Sequence, residues 1–228
     1  MIRVFPGPDE LAKALADTIA AAISARLAKK GSAAIAVSGG TTPVRFFQAL
    51  SKKSLNWSAV TITLVDERWV PAESPRSNAG LVQKNLLQGP AAAASFVPLA
   101  DAATTPERGK AGIEQAIRAL NLPFAAVTLG MGNDGHTASF FPGGDRLAEA
   151  LNPSRGQIVE TMHADGAGEP RVTLTLPLLL AADTIAIQIE GAAKRAAFDA
   201  AMQPGPVPHM PIRAVLAAQP PPDVYWCP

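Results

Sequence analysis

Cysteine is almost missing from this chain of 228 residues: Cys227 is the only one. No intrachain disulfide can form, which points to a reducing compartment. Charge of one sign is missing too. The formal net charge is +1, and no basic run exceeds two lysines. Nothing therefore marks a nucleic-acid partner or an anionic membrane surface. The opening MIRVFPGPDE lacks the apolar stretch of a secretory leader. TIAAAISARL is apolar, but aspartates and lysines bound it too closely for a span of about 20 residues. No pair of histidines or cysteines has metal-ligand spacing, so no metal is expected. These absences together describe a soluble, cytoplasmic protein.

Apolar residues are plentiful at 48%, against 17% charged. That is enough for a sizeable core and excludes a disordered chain. Pro8, Asp9 and Glu10 open a helix that runs to about Lys30, where lysines and Gly31 stop it. Leu11, Leu15, Ile19, Ile23 and Leu27 give it a buried stripe. After it, AAIAVSGG, AVTITLVDERW and FAAVTLGMG read as strands. PVRFFQALSKK, SNAGLVQKNLL (with Ser77 or Asn78 as N-cap) and PERGKAGIEQAIRAL read as helices. Residues 89–104 read as a loop. Further on, GQIVETM, RVTLTL, TIAIQIEG and DVYWC are strand-like. AAKRAAFDAAM and a short stretch near 211–218 are helical. Alternation of strand and helix predicts a doubly wound α/β fold, a mostly parallel sheet with helices on both faces (a Rossmann-like three-layer sandwich). No repeat or clear linker appears, so one domain over 1–228 is expected.

Ligands of such sheets bind outside the carboxyl ends of the strands. SGGTTP (38–43) follows the first strand, and DER (66–68) ends the second. GMGNDGH (130–136) follows the third, and Lys194 lies just into the helix after TIAIQIEG. SGGTTP suits an anion: glycines let backbone N–H groups approach, and Ser38, Thr41 and Thr42 add hydroxyls. A tight turn with an N-cap would read the same way. It is no Walker A loop, and Ala36 removes the nucleophile elbow. Arg68 would fork onto a phosphate or pair with a neighbouring acid. Lys194 near a helix start would serve a bound anion or simply face solvent.

Gly130, Gly132 and Gly135 spell G-x-G-x-x-G, a dinucleotide fingerprint. That fingerprint needs a long helix after its third glycine. Here Pro142, Gly143 and Gly144 intervene, and Asp134 would repel a pyrophosphate. Glu160, placed where a ribose-binding acid would sit, is the one feature in its favour. The other reading takes His136 as a general base or acid. An unperturbed imidazole titrates at about 6.5. Asp134 would orient the ring, and loop N–H groups would meet an oxyanion. His163 and His209 have no such company and read as structural or exposed.

SGGTTP, VDERWVP with SNAGLV, GMGNDGHTASFFPG and GAAKRAA, in this order, resemble the glucosamine-6-phosphate isomerase/6-phosphogluconolactonase family. The resemblance runs to about residue 202. Within the family, Arg68 and TASFFPGG after His136 favour the lactonase branch; the deaminase branch has DEY and a carboxylate after its histidine. The resemblance implies hydrolysis of 6-phospho-D-glucono-1,5-lactone in the oxidative pentose phosphate pathway. It implies no organic cofactor and no metal. The only partner expected is a small-molecule phosphorylated sugar lactone, taken by a monomer or small homo-oligomer.

On this reading the phosphate would rest on Gly39, Gly40, Thr41, Thr42, Arg68 and Lys194, with Ser38 beside them. His136 would activate water, Asp134 would orient it, and N–H groups near Gly132 and Asn133 would hold the oxyanion. Asn78 would touch a sugar hydroxyl. A deaminase-like aldose–ketose isomerase and a non-catalytic sugar-phosphate sensor are the alternatives. The sensors usually carry a DNA-binding appendage for which this chain has no room.

Overall fold

The computed structural model describes residues 2–100 and 105–228, apart from the side chain of Arg155. A seven-stranded parallel sheet forms the centre. Its strands are β1 (Ile2–Val4), β2 (Ala33–Val37), β3 (Val60–Leu64), β5 (Ser95–Val97), β6 (Ala126–Leu129), β9 (Ile185–Glu190) and β10 (Asp223–Cys227). Their spatial order is β1-β10-β9-β6-β2-β3-β5. A smaller antiparallel sheet takes β4 (Asp66–Arg68), β7 (Val159–Met162) and β8 (Arg171–Leu174), in the order β4-β8-β7. The helices are α1 (Pro8–Lys30), α2 (Val44–Leu50), α3 (Asn78–Asn85) and α4 (Pro106–Arg118), then α5 (Leu147–Leu151), α6 (Leu176–Leu180), α7 (Gly191–Ala201) and α8 (Ile212–Leu216). The fold is the expected α/β sandwich.

Strand β2 is buried at every position, as a central parallel strand must be. From it the chain first winds outward to β3 and β5, then returns to β6 on the opposite side. This reversal is the topological switch point of an open α/β sheet, where the loops after two neighbouring strands part and leave a crevice. The loops after β2 and β6 flank it, and β9 lies next to β6.

Helix α1 follows its sequence signals. Pro8 is in the first turn, Asp9 and Glu10 meet the positive end, and Gly31 caps the other at φ 74°. Leu11, Leu15, Ile19 and Ile23 are fully buried, whereas Leu27 is only half-buried. Arg26 is buried among them, with Nε 2.9 Å from Asp183 and Nη1 donating to the Pro123 carbonyl at 2.8 Å.

Several elements differ from expectation. AVTITLVDERW is two strands, not one. Val65 breaks it: its N–H donates to Val37 in the large sheet at 3.0 Å, while its carbonyl accepts from Leu174 in the small one at 2.9 Å. The chain thus changes sheets at a single residue, and GQIVETM and RVTLTL join it there as antiparallel partners. The 89–104 stretch contains a 3-10 turn (Gly89–Ala93) and edge strand β5; its residues 101–104 lie outside the described residues. Edge strand β1 has only three residues, too short for a periodic signal. Among the described residues no helix is long and apolar enough to cross a membrane.

Candidate active site

A cleft of about 310 Å³ opens over the switch point. The loop after β2 supplies Ser38, Gly39, Gly40, Thr41 and Thr42, and the loop after β6 supplies Gly132 and His136. Arg68 enters from β4, Asn78 from α3 and Lys194 from α7. Five elements, drawn from both sheets and the helices beside them, therefore meet at one surface.

His136 is held there by several contacts. Its Nδ1 lies 2.6 Å from Asp134 Oδ1, and its backbone N–H donates to the same oxygen at 3.1 Å. An ionised carboxylate only accepts, so Nδ1 carries the proton and Nε2 remains the basic nitrogen. The hydrogen bond to His136 holds the Asp134 carboxyl below the usual aspartate range, against the opposing effect of partial burial. The imidazole also stacks on Phe141 at 4.5 Å between centroids.

Gly132 explains one glycine of the G-x-G-x-x-G string. A Cβ there would stand 2.1 Å from His136 Nδ1 and 2.3 Å from Asp134 Oδ1, inside the pair. No long helix follows Gly135; the next is α5, at Leu147. Glu160 faces away from any nucleotide role, ion-paired to Lys110 at 2.6 Å. The dinucleotide reading fails on both counts.

Gly39 has a different reason to lack a side chain. A Cβ there would lie 1.8 Å from Asn78 Oδ1, so the loop after β2 packs directly on the Asn78 carboxamide. The amide's Nδ2 donates to the Asp66 carbonyl at 2.9 Å, leaving Oδ1 buried without a partner. Ser77, not Asn78, caps α3, through Gly80 N–H at 3.1 Å. The Glu67 carboxylate holds this junction from below. It accepts from the N–H groups of Arg68, Asn78 and Ala79 at 2.7–2.8 Å and from Ser77 Oγ at 3.2 Å.

Lys194 Nζ donates to the Met131 carbonyl at 2.6 Å. Partial burial lowers the pKa of its ammonium, and the Asp134 charge opposes that. Arg68 forms no ion pair with Asp66 or Glu67; its Nη1 donates to the Arg76 carbonyl.

Two expectations are corrected. The Gly132 N–H is spent on the His136 carbonyl at 2.8 Å, closing the loop on itself, and is not free to hold an oxyanion. Asn133 sits at the exposed tip of that turn, outside the residues lining the cleft.

Residues 6–226 match the family model described as glucosamine-6-phosphate isomerases/6-phosphogluconolactonase. The chain belongs to that family. A Mesorhizobium japonicum protein named 6-phosphogluconolactonase is 54% identical over 99% of this chain and 94% of its own. A Rhizobium meliloti protein of the same name is 50% identical, over 100% and 98%. The crystal structure of a 6-phosphogluconolactonase from Shewanella baltica superposes with a TM-score of 0.96 at 38% identity, covering 100% of this chain and 97% of that one.

Asp66, Arg171, Gln188 and Glu190 also line the cleft; Asp66 belongs to the DER motif, but the other three did not stand out in the sequence. Arg171 lies within the apolar-looking string RVTLTL, and its position opposite Arg68 appears only once β4 and β8 pair. Gln188 and Glu190 alternate along β9 and are linked at 3.0 Å, Nε2 to Oε1; a strand end rich in polar residues was their only signal. Among the described residues no group of three or more His, Cys, Asp or Glu side chains is placed to hold a metal ion.

Proposed function

We propose that this protein hydrolyses 6-phospho-D-glucono-1,5-lactone to 6-phosphogluconate, a step of the oxidative pentose phosphate pathway. One observation carries the reading: the Asp134–His136 pair shares a cleft with Arg68 and Lys194. A proton acceptor at one place and cations at another suit a substrate with an ester carbonyl at one end and a phosphate at the other.

The phosphate takes no part in the chemistry. Held by Arg68, Lys194 and the Ser38–Thr42 loop, it fixes the ring so that C1 comes to His136. Nε2 takes a proton from water as the water oxygen bonds to C1. The carbonyl electrons move onto oxygen, giving a tetrahedral oxyanion. Its collapse breaks the bond from C1 to the ring oxygen, which takes the proton back from Nε2. Asp134 keeps the proton on Nδ1 throughout and stabilises the imidazolium that forms. Asn78, which lines the cleft, is placed beside the sugar ring. A positioned general base contributes about 10²–10⁴ in rate, which suffices for an ester that already hydrolyses in water.

The direct test follows loss of the phosphorylated lactone with purified protein, against the spontaneous rate. Turnover well above that rate is expected; a rate equal to it overturns the proposal. Release of ammonia from glucosamine 6-phosphate would assign the protein to the other branch of its family.

A further inference from the structure

The small sheet sets two cations side by side. Strands β4 and β8 are antiparallel, with Arg68 directly opposite Arg171. Side chains so paired leave the same face of a sheet, and both line the cleft. Like charges in this relation repel and are destabilising, so the arrangement calls for a compensating anion.

The protein does not supply enough of one. Arg68 has no ion pair among the described residues, and its Nη1 is bound to a neutral carbonyl. Arg171 Nη1 is 3.7 Å from Asp66 Oδ2, an oxygen that already accepts from Ser139 Oγ at 2.6 Å. Glu67 is saturated by its own donors, and Glu169 is taken by Arg76 at 2.9 Å. Arg171 is only 6% exposed. The Nε atoms of Arg68 and Arg171 are both buried without a hydrogen-bond partner. Unpartnered buried charge is costly. Burial accordingly pulls the Arg171 guanidinium below its ordinary pKa; Asp66 opposes this and Arg68 adds to it.

A structural role accounts for only part of Arg171. Its Nη2 donates to the Ala167 carbonyl at 2.6 Å, and its guanidinium lies 5.2 Å from the Phe141 ring centroid. These contacts aim the group and leave Nε–H unused. Among the described residues Thr128 Oγ1 and Asn78 Oδ1 are the remaining buried side-chain polar atoms without partners, so among the residues that line the cleft the arginines hold both of the unused buried N–H donors.

We infer that Arg171 binds the substrate's phosphate together with Arg68, and that this cross-strand pair makes the cleft selective for a doubly charged phosphate monoester over the uncharged sugar lactone. The inference deepens the lactonase reading and rests on it for the identity of the substrate. Two guanidinium forks on one phosphate match its spread oxygens, as a single ammonium cannot.

The test uses Arg171→Met, which keeps bulk without charge, and Arg171→Lys, which keeps charge without the fork. KM and kcat are measured on 6-phosphogluconolactone and on unphosphorylated gluconolactone. Thermal stabilisation by inorganic phosphate is measured alongside. Arg171→Met should raise KM for the phosphorylated lactone at least about tenfold, the loss expected for a charged hydrogen bond. It should leave kcat and the unphosphorylated substrate nearly unchanged. Arg171→Lys should raise the same KM by a smaller factor, and both variants should lose most of the stabilisation by phosphate. Should Arg171→Met fail to fold, Arg171→Lys and its phosphate response carry the test. An unchanged KM, or an equal loss on both lactones, overturns the inference. If the native protein hydrolyses neither lactone, the lactonase reading falls alone, and the phosphate response still decides for or against Arg171.

Discussion

His136 Nδ1 and Asp134 Oδ1 are 2.6 Å apart, within one turn of chain and across a glycine that leaves room for both. The ring therefore presents Nε2 as its base. His136→Ala should lower kcat by about 10²–10⁴ with little change in KM. Asp134→Asn keeps the shape but removes the obligate acceptor, so kcat should fall again with KM held. Steady-state kinetics on the phosphorylated lactone separates the two constants. A near-normal kcat for His136→Ala would remove the imidazole from the mechanism.

The pKa of Asp134 is depressed by His136. A carboxyl lowered in the folded state stabilises the fold above its unfolded pKa of about 3.9, and that contribution is lost as pH falls through the lower folded value. Thermal melts should show the native protein losing stability on the acid side in this window, and Asp134→Asn losing less of it.

At the phosphate end, Arg68→Ala and Lys194→Ala should each raise KM for the phosphorylated lactone and leave kcat largely intact. The Lys194 ammonium is lowered by burial, so binding of 6-phosphogluconate by calorimetry should begin to weaken below the ordinary lysine value of about 10.4. Lys194→Met should bind weakly and lack that alkaline loss.

Gly39→Ala would force a methyl into the Asn78 carboxamide. It should cost about 1–3 kcal/mol of stability, as overpacking does, and should impair turnover. Adding Asn78→Ala should restore the melting temperature without restoring activity.

Glu67 is 1% exposed and never reaches the cleft lining, yet it ties β4 to the start of α3. Glu67→Ala would orphan buried donors at about 1–3 kcal/mol each. Denaturant unfolding should show a loss of about 3 kcal/mol or more, with KM raised because Arg68 and Asn78 lose their common anchor.

Most of the large sheet was legible because its strands are short apolar runs closed by glycine or polar loops, and its helices carry caps. Pro8 and Gly31 bracket α1 as the sequence suggests. His136 and Lys194 were legible for the same reason, since both follow strand ends. The small sheet was not. Nothing in VTITLVDER marks Val65 as the place where the ladder changes partner; that is decided by distant segments, β7 and β8, arriving more than 90 residues later. Arg171 is hidden with them. Gly132 was legible as a loop glycine, but its N–H was assigned to an oxyanion when it donates to the His136 carbonyl, a property of the closed turn rather than of composition.

Val65 joins the large sheet, whose strand ends carry the Asp134–His136 loop, to the small sheet bearing the arginines. The large sheet thus carries His136, the Ser38–Thr42 loop and Lys194, and the small sheet adds Arg68 and Arg171, the two being welded at one buried valine. On the proposed reading, replacements along the three short antiparallel strands would alter the arginine end of the cleft and leave the Asp134–His136 turn in place.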